Sequence, residues 1–353
     1  MKKFFVLISL SLMCATSFAY WEVNGLRFSS LGMRISYDHN GKLMDEPAVV
    51  LTSNFSYQTF SNYGELSGHI DVPRGIEVNE QGYVKGIHIV REIGLEAFQN
   101  CEGITSVTLP STIVRIHRYA FQGATSLTSI NIPSGVTRIE EAVFVGCKSL
   151  HSIQLHDGVT SFGMSAFNGC GFKQFYIPAG VDTIESGAFG NCTSLEWMLV
   201  PNHVKVIGSG VFDGCKSMKC VYLPDHISVI KYNMFANCSS LVAIAPTSDK
   251  PNPTPEAIVF IPKQVTQIQD FAFENCSSIR KIVIPSNVNT VGRSAFNGCT
   301  SLEEVWFQSQ KASCGFMTFY NCPNLKRIYV PKGTKSTYLE NGLGHISHLV
   351  IEY

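Results

Sequence analysis

Apolar positions recur along the chain with a fixed period. Phe stands at 98, 121, 144, 167, 189, 212 and 235, then at 273, 296 and 319, in steps of 22 or 23 residues with one longer step of 38. A repeat of this length marks a solenoid, propeller or array. Within one unit the apolar pattern is carried by Leu127, Ile130, Ile132, Pro133, Val136, Ile139, Phe144 and Cys147, and the next opens with Leu150, Ile153 and Leu155. The first part alternates with period two, which predicts a short strand with one buried side. Pro then ends it by withholding a ladder donor. Stacked units set these strands side by side as a parallel sheet.

After the Pro the alternation is lost, Gly and Ser appear, and an Ala-Phe-x-x-Cys segment follows that is long enough for only one or two helical turns. Its Phe is expected to point inward once per rung. A unit this short cannot bury its own apolar face, so its stability must come from neighbouring rungs, Leu on Leu and Phe on Phe.

The ends depart from the period. Trp21, Val23, Leu26, Phe28 and Ile35, near Gly25, Gly32 and Asn40-Gly41, read as strands joined by turns. Ile70, Val72 and Pro73 match the strand of a first rung, and the extra chain before Val90, with Gly75, Asn79 and Gly82, predicts a hairpin extending that rung. Residues 20–65 are therefore expected to form a β-rich N-terminal cap, 66–331 the solenoid and 332–353 a closing segment. The long step between Phe235 and Phe273 holds an insertion near 245–257 with Pro246, Pro251, Pro253 and Pro255. Four prolines so close together oppose both helix and ladder pairing, which predicts an extended loop leaving the stack.

The unit resembles the BspA-like leucine-rich repeats, which run Leu-x-x-Leu-x-Leu-Pro-x-x-Leu-x-x-Ile-Gly-x-x-Ala-Phe-x-x-Cys. Ile-Gly stands intact at Ile93-Gly94 and Ile207-Gly208, and Ala-Phe at six rungs including Ala97-Phe98, Ala120-Phe121 and Ala295-Phe296. Departures are local: His156 and Gln308 replace the Pro, Ala124 the Cys and Cys314 the Ile. The resemblance implies an α/β leucine-rich-repeat solenoid with a parallel sheet on one face, short helical turns on the other and a β-rich N-terminal cap. It also implies a cell-surface or secreted protein that attaches to host proteins, host cells or other microbes.

Composition narrows the possibilities further. The 353 residues carry 27 basic and 27 acidic side chains, and only 15% are charged, against about 25% in an ordinary soluble domain. Such a balance offers no field for phosphate and argues against nucleic acid as a partner. Lys2 and Lys3, the apolar run Phe4 to Met13, and the small residues Ser17 and Ala19 describe a bacterial-type signal peptide over 1–19. Nothing later approaches the ~20 apolar residues of a membrane span. An exported chain, secreted or held at the cell surface, is expected.

Nine of the twelve Cys occupy one repeat position, from Cys101 to Cys322. Equivalent positions on adjacent rungs lie about 5 Å apart with parallel side-chain vectors, whereas a bridge needs Cβ atoms about 3.8 Å apart and turned toward each other. They are read as buried thiols. No CxxC pattern or recurring His accompanies them, the pair His345 and His348 is isolated, and no Walker, GxSxG, HExxH or dinucleotide motif is present. Hence no catalytic, cofactor-binding or metal-binding residue is assigned, and the protein is read as non-enzymatic. Asn191-Cys192-Thr193, Asn237-Cys238-Ser239 and Asn275-Cys276-Ser277 match a glycosylation sequon but follow from the turn's preference for Asn before Cys.

Between the buried strand positions lie outward ones. Just before the last buried residue stand Thr108, Asn131 and Gln154 early in the chain, then Tyr176, Leu199, Tyr222, Ala245, Phe260, Val283, Trp306 and Tyr329; two residues earlier stand Trp197 and Arg327 among others. An exposed apolar strip with Trp, Tyr and Arg marks an interaction surface, although the same residues also favour sheets through cross-strand packing alone. The candidate surface is Tyr176, Trp197, Tyr222, Phe260, Trp306, Arg327 and Tyr329, with a protein or glycan as partner and an adhesin-like role. The alternative is a scaffold component of the producer's own envelope.

Overall fold

The computed structural model describes the backbone of residues 66–80, 83–247 and 258–353 and of short strands between Tyr20 and Phe60; side chains are described for 66–75, 89–247 and 258–353. The expected signal at 1–19 and Pro251, Pro253 and Pro255 lie outside these residues. Two compact units are present, Met1–Val159 and Thr160–Tyr353. Each is a parallel-strand β-solenoid with little helix.

Most of the predicted strands form where the period-two pattern places them; the rung of Ile153 and Leu155 keeps only a single bridge, Asn131 to Gln154, and the rung of Tyr176 has no strand. In the second unit Trp197–Leu199, Cys220–Leu223 and Ala243–Pro246 pair in parallel, as do Ile258–Phe260, Lys281–Ile284, Glu304–Phe307 and Arg327–Val330. In the first unit Gly103–Thr108 pairs in parallel with Ser67–Asp71 and with Ser129–Ile130. A second set of ladders, not foreseen from the sequence, runs through two-residue strands such as Thr183–Ile184, Val206–Ile207, Thr290–Val291 and Ser313–Cys314. Their second residue is buried, and it is the Ile of the Val-x-x-Ile pattern in most rungs.

Opposite the main sheet, the Ala-Phe-x-x-Cys segments are stacked turns and not helices. The reason lies in where the amides point. Around Phe212, the N–H groups of Gly210, Phe212 and Gly214 donate to Tyr232, Met234 and Ala236 of the next rung, while those of Asp213 and Cys215 donate back within the turn to Gly210 and Phe212. A helix would direct every amide inward along its own axis. Here alternate amides leave for the neighbour, which requires a left-handed residue two places before and two places after the Phe, Gly210 and Gly214 in this rung. At the later position every rung carries either Gly or Asn. Asn191 lies where a Cβ on Gly214 would come within 2.5 Å of its Oδ1, and Asn275 bears in the same way on Gly298 at 2.2 Å.

Inside, the phenylalanines stack as expected. Phe98, Phe121 and Phe144 form one column with centroids 5.1 and 5.7 Å apart. In the second unit Phe167, Phe189, Phe212, Phe235, Phe273, Phe296 and Phe319 form another, with spacings of 5.2 to 6.3 Å. Beside the column the repeat cysteines from Cys192 to Cys322, and Cys147 before them, donate their S–H to the Phe carbonyl of the preceding rung: Cys215 to Phe189 at 3.1 Å, Cys238 to Phe212 at 3.1 Å and Cys299 to Phe273 at 3.3 Å. All cysteines among the described residues are free thiols. Cysteine is thus the side chain that fills an apolar slot and still offers a weak donor to a buried carbonyl.

The flanking segments continue the ladders. The expected hairpin is present, Gly75–Glu80 pairing antiparallel with Tyr83–Ile93. Ala48–Thr52 runs parallel to that long strand and antiparallel to Leu26–Ser30, which pairs with Tyr20–Val23. At the other end Val350–Glu352 adds a parallel strand to Arg327–Val330. A short helix, Lys335–Tyr338, buries Tyr338, whose hydroxyl donates to the Ser309 carbonyl at 2.7 Å.

Two outcomes follow from this interior. Phe212→Ala leaves a void between Phe189 and Phe235 and should lower stability by about 3–5 kcal/mol, read by chemical denaturation; a change under ~1 kcal/mol would contradict the column. Burial pushes the thiols of Cys147 and Cys192 up to about 12, and those of Cys215 and Cys238 well above 9.0. Because the folded-state value is raised, the unfolded chain ionises first, so this stability is complete below about pH 9 and is lost as pH climbs toward about 12. Melting temperature should therefore fall in alkaline solution, and less steeply for Cys215→Ala with Cys238→Ala. Ala124, fully buried at the equivalent position, shows that the slot accepts alanine.

Candidate binding surface

In the second unit the main sheet presents two outward rows. Parallel register places Phe260, Val283, Trp306 and Tyr329 in line, and continues to Ile351 on the last strand. Beside them run Ile258, Lys281, Glu304 and Arg327. Because the strands are parallel and unstaggered, side chains 23 residues apart in sequence become neighbours, at steps of about 4.8 Å.

The centre of this surface is aromatic. Trp306 stacks on Tyr329 with centroids 3.9 Å apart and receives Tyr353 edge-on at 5.3 Å. Tyr353 is anchored by its hydroxyl, which donates to the Phe307 carbonyl at 3.1 Å. Phe260, two strands away, is 53% exposed. Around the rings stands a charged border. Arg327 donates from Nη1 to the Tyr329 hydroxyl at 3.3 Å, the Trp306 indole N–H points to Glu304 Oε2 at 3.3 Å, and Lys281 lies 3.5 Å from the same carboxylate. One residue earlier on each strand, Glu303 is held below the usual carboxylate range by hydrogen bonds from Arg280 and Lys326.

The other candidates stand apart from this cluster. Trp197 and Tyr222 are both half-buried on adjacent strands, in register with Cys220 and Leu199 respectively. Between them and Phe260 the outward positions Ala243 and Ala245 are buried, and strand pairing stops where the insertion departs after Ala243–Pro246. Thr247 ties that departure down, its hydroxyl donating to the carbonyls of Val200 and Leu223 at 2.9 Å each. Tyr176 is 89% exposed and lies outside any strand. The surface therefore consists of a Trp197–Tyr222 group, a Phe260–Trp306–Arg327–Tyr329 group and an isolated Tyr176. Tyr353 was missed from the sequence because it lies beyond the repeat; its signal was the alternation in Leu349, Ile351 and Tyr353.

Among the described residues no group of His, Cys, Asp and Glu could hold a metal ion, and no helix is long and apolar enough to cross a membrane.

The repeat pattern matches a known family across most of the chain. A description of the BspA type leucine rich repeat region, in six copies, fits residues 85–196, 160–249 and 256–342. The chain belongs to the BspA-type leucine-rich-repeat family. Among solved structures, a leucine-rich repeat protein from Bacteroides ovatus is similar over 90% of this chain and 70% of its own, at 29% identity and a TM-score of 0.68. The pneumococcal vaccine antigen PcpA is similar over 92% of each chain at 17% identity and a TM-score of 0.52, a likeness of fold. No curated protein matches. Within the BspA-type unit, Trp306 and Tyr329 occupy one of the two outward strand positions, whose side chains face away from the Phe and Leu stacks.

Proposed function

We propose that this protein is an exported BspA-type repeat protein that binds a protein partner through the sheet face centred on Trp306, and that it acts as an adhesin at the cell surface or in secreted form. The observation that carries this reading is the Trp306–Tyr329–Tyr353 cluster within a border of Lys281, Glu304 and Arg327. An aromatic centre within a charged rim is the anatomy of a protein interface, and Trp, Tyr and Arg dominate its binding energy. Family membership supports a protein-binding role and an exposed setting. Trp197 and Tyr222 stand on the preceding sheet of the same unit and would extend the contact on the far side of the insertion.

The test is capture of extracellular-matrix proteins and mucin by the purified chain. Trp306→Ser with Tyr329→Ser should reduce capture by about tenfold or more, a loss of ~1.4 kcal/mol in binding, while circular dichroism is unchanged. Trp197→Ser with Tyr222→Ser should give a smaller loss. Capture that survives both pairs of substitutions would remove the sheet face from the reading.

A further inference from the structure

The corresponding face of the first unit has the opposite chemistry. His69 stands opposite Ser106 and Asp71 opposite Thr108 on paired strands; Ser106 in turn faces Ser129, and Asn131 bridges to Gln154 on the rung beyond. All of these but Asp71, with Ser152, line an open groove of about 460 Å³, within the size range of small-ligand sites.

One wall is built rather than merely polar. The His69 imidazole is held on both nitrogens, Nδ1 with Ser106 Oγ at 2.7 Å and Nε2 with Asp71 Oδ1 at 3.0 Å and Thr108 Oγ1 at 3.2 Å. Asn131 is locked as well: its Oδ1 accepts from the Leu109 N–H at 2.7 Å and its Nδ2 donates to the Leu109 carbonyl at 2.8 Å, so the amide replaces a ladder pair. Ser106 and Thr108 on one strand and Asp71 on its neighbour thus hold the ring from both sides. These contacts fix the imidazole in place. Ser129, Ser152 and Gln154 line the same groove and make no side-chain hydrogen bond within the described residues.

We propose that this groove binds a neutral oligosaccharide. Hydroxyl and amide groups repeating from strand to strand match a ligand that carries a hydroxyl on every face. The lining holds no aromatic ring to anchor a protein hot spot. It also holds no Lys or Arg to meet a carboxylate or sulfate, and Asp71 at its edge repels them. Preordered His69 and Asn131 reduce the ordering cost of binding.

Isothermal titration of the intact protein with maltohexaose, cellohexaose and the N-acetylglucosamine hexamer, and with a heparin hexasaccharide as the acidic counterpart, tests this. At least one neutral hexasaccharide should bind, and the heparin fragment should not. Gln154→Ala, and separately Ser129→Leu with Ser152→Leu, should weaken that binding about tenfold with unchanged circular dichroism, whereas Trp306→Ser should leave it intact. Absence of binding by all three neutral probes at millimolar concentration, equal binding of the heparin fragment, or affinity unaltered in both groove variants would overturn the proposal. Loss of protein capture in the groove variants without any saccharide binding would assign the groove to a protein and overturn it equally.

Discussion

Each turn of this chain has an inner face that only the adjacent turn can cover. A 23-residue unit encloses too little volume to remove its own Phe, Leu and Ile from water, so the contact between one rung and the next carries the hydrophobic term of folding. The rest of the architecture follows from keeping that contact uniform. Alternate amides in the turn must leave for the neighbour, as those of Phe189 and Phe273 do toward Val211 and Ala295, so the backbone cannot close on itself as a helix. Left-handed residues appear twice per turn to allow this, and they include bulky ones such as Tyr119, Phe271 and Met317. Each costs about 1–2 kcal/mol against the right-handed alternative, and the gain from rung contact is large enough to impose it.

The insertion shows how strictly the interior is kept. Phe235 and Phe273 are separated by 38 residues yet stack with centroids 5.4 Å apart, and Phe235 donates its amide to Ala272 as any adjacent rung would. Cys276 still reaches the Phe235 carbonyl at 3.1 Å. The irregularity falls on the sheet side instead, where Ala243–Pro246 and Ile258–Phe260 belong to different sheets. A missing pair of ladder bonds at a solvated face costs little, because water replaces them, while a gap in the column would cost several kcal/mol.

What could be read from the sequence divides along the same line. The strands, the inward Phe, the hairpin after Pro73 and the free thiols were legible because buried positions are fixed by periodicity, and periodicity is visible without coordinates. The Ala-Phe-x-x-Cys segments were expected to hold at most one or two helical turns; that their amides pair between rungs depends on the neighbour, which a local window does not contain. The two-residue strands at Thr183–Ile184 and Thr290–Val291 escaped notice for the same reason, being too short to alternate. On the outer face, register was predicted correctly for Phe260, Trp306 and Tyr329, but burial was not. Ala243 and Ala245 occupy outward positions and are nonetheless buried, since small side chains in a row lie below the reach of their larger neighbours.

The separation between a constrained interior and an unconstrained face explains how one repeat carries two chemistries. Outward strand positions make no contribution to the Phe and Leu stacks, so substitutions there change stability by roughly 0.5 kcal/mol or less. The same position can then be Thr108 and Asn131 in one unit and Trp306 and Tyr329 in the other. Asn131 illustrates the limit of that freedom, since its amide substitutes for a ladder pair and cannot be exchanged for an aromatic without leaving the Leu109 N–H and carbonyl unpaired. Where the ladder is complete, as from Ile258–Phe260 to Arg327–Val330, every outward residue is available for recognition, and that is where the bulky aromatic side chains have accumulated.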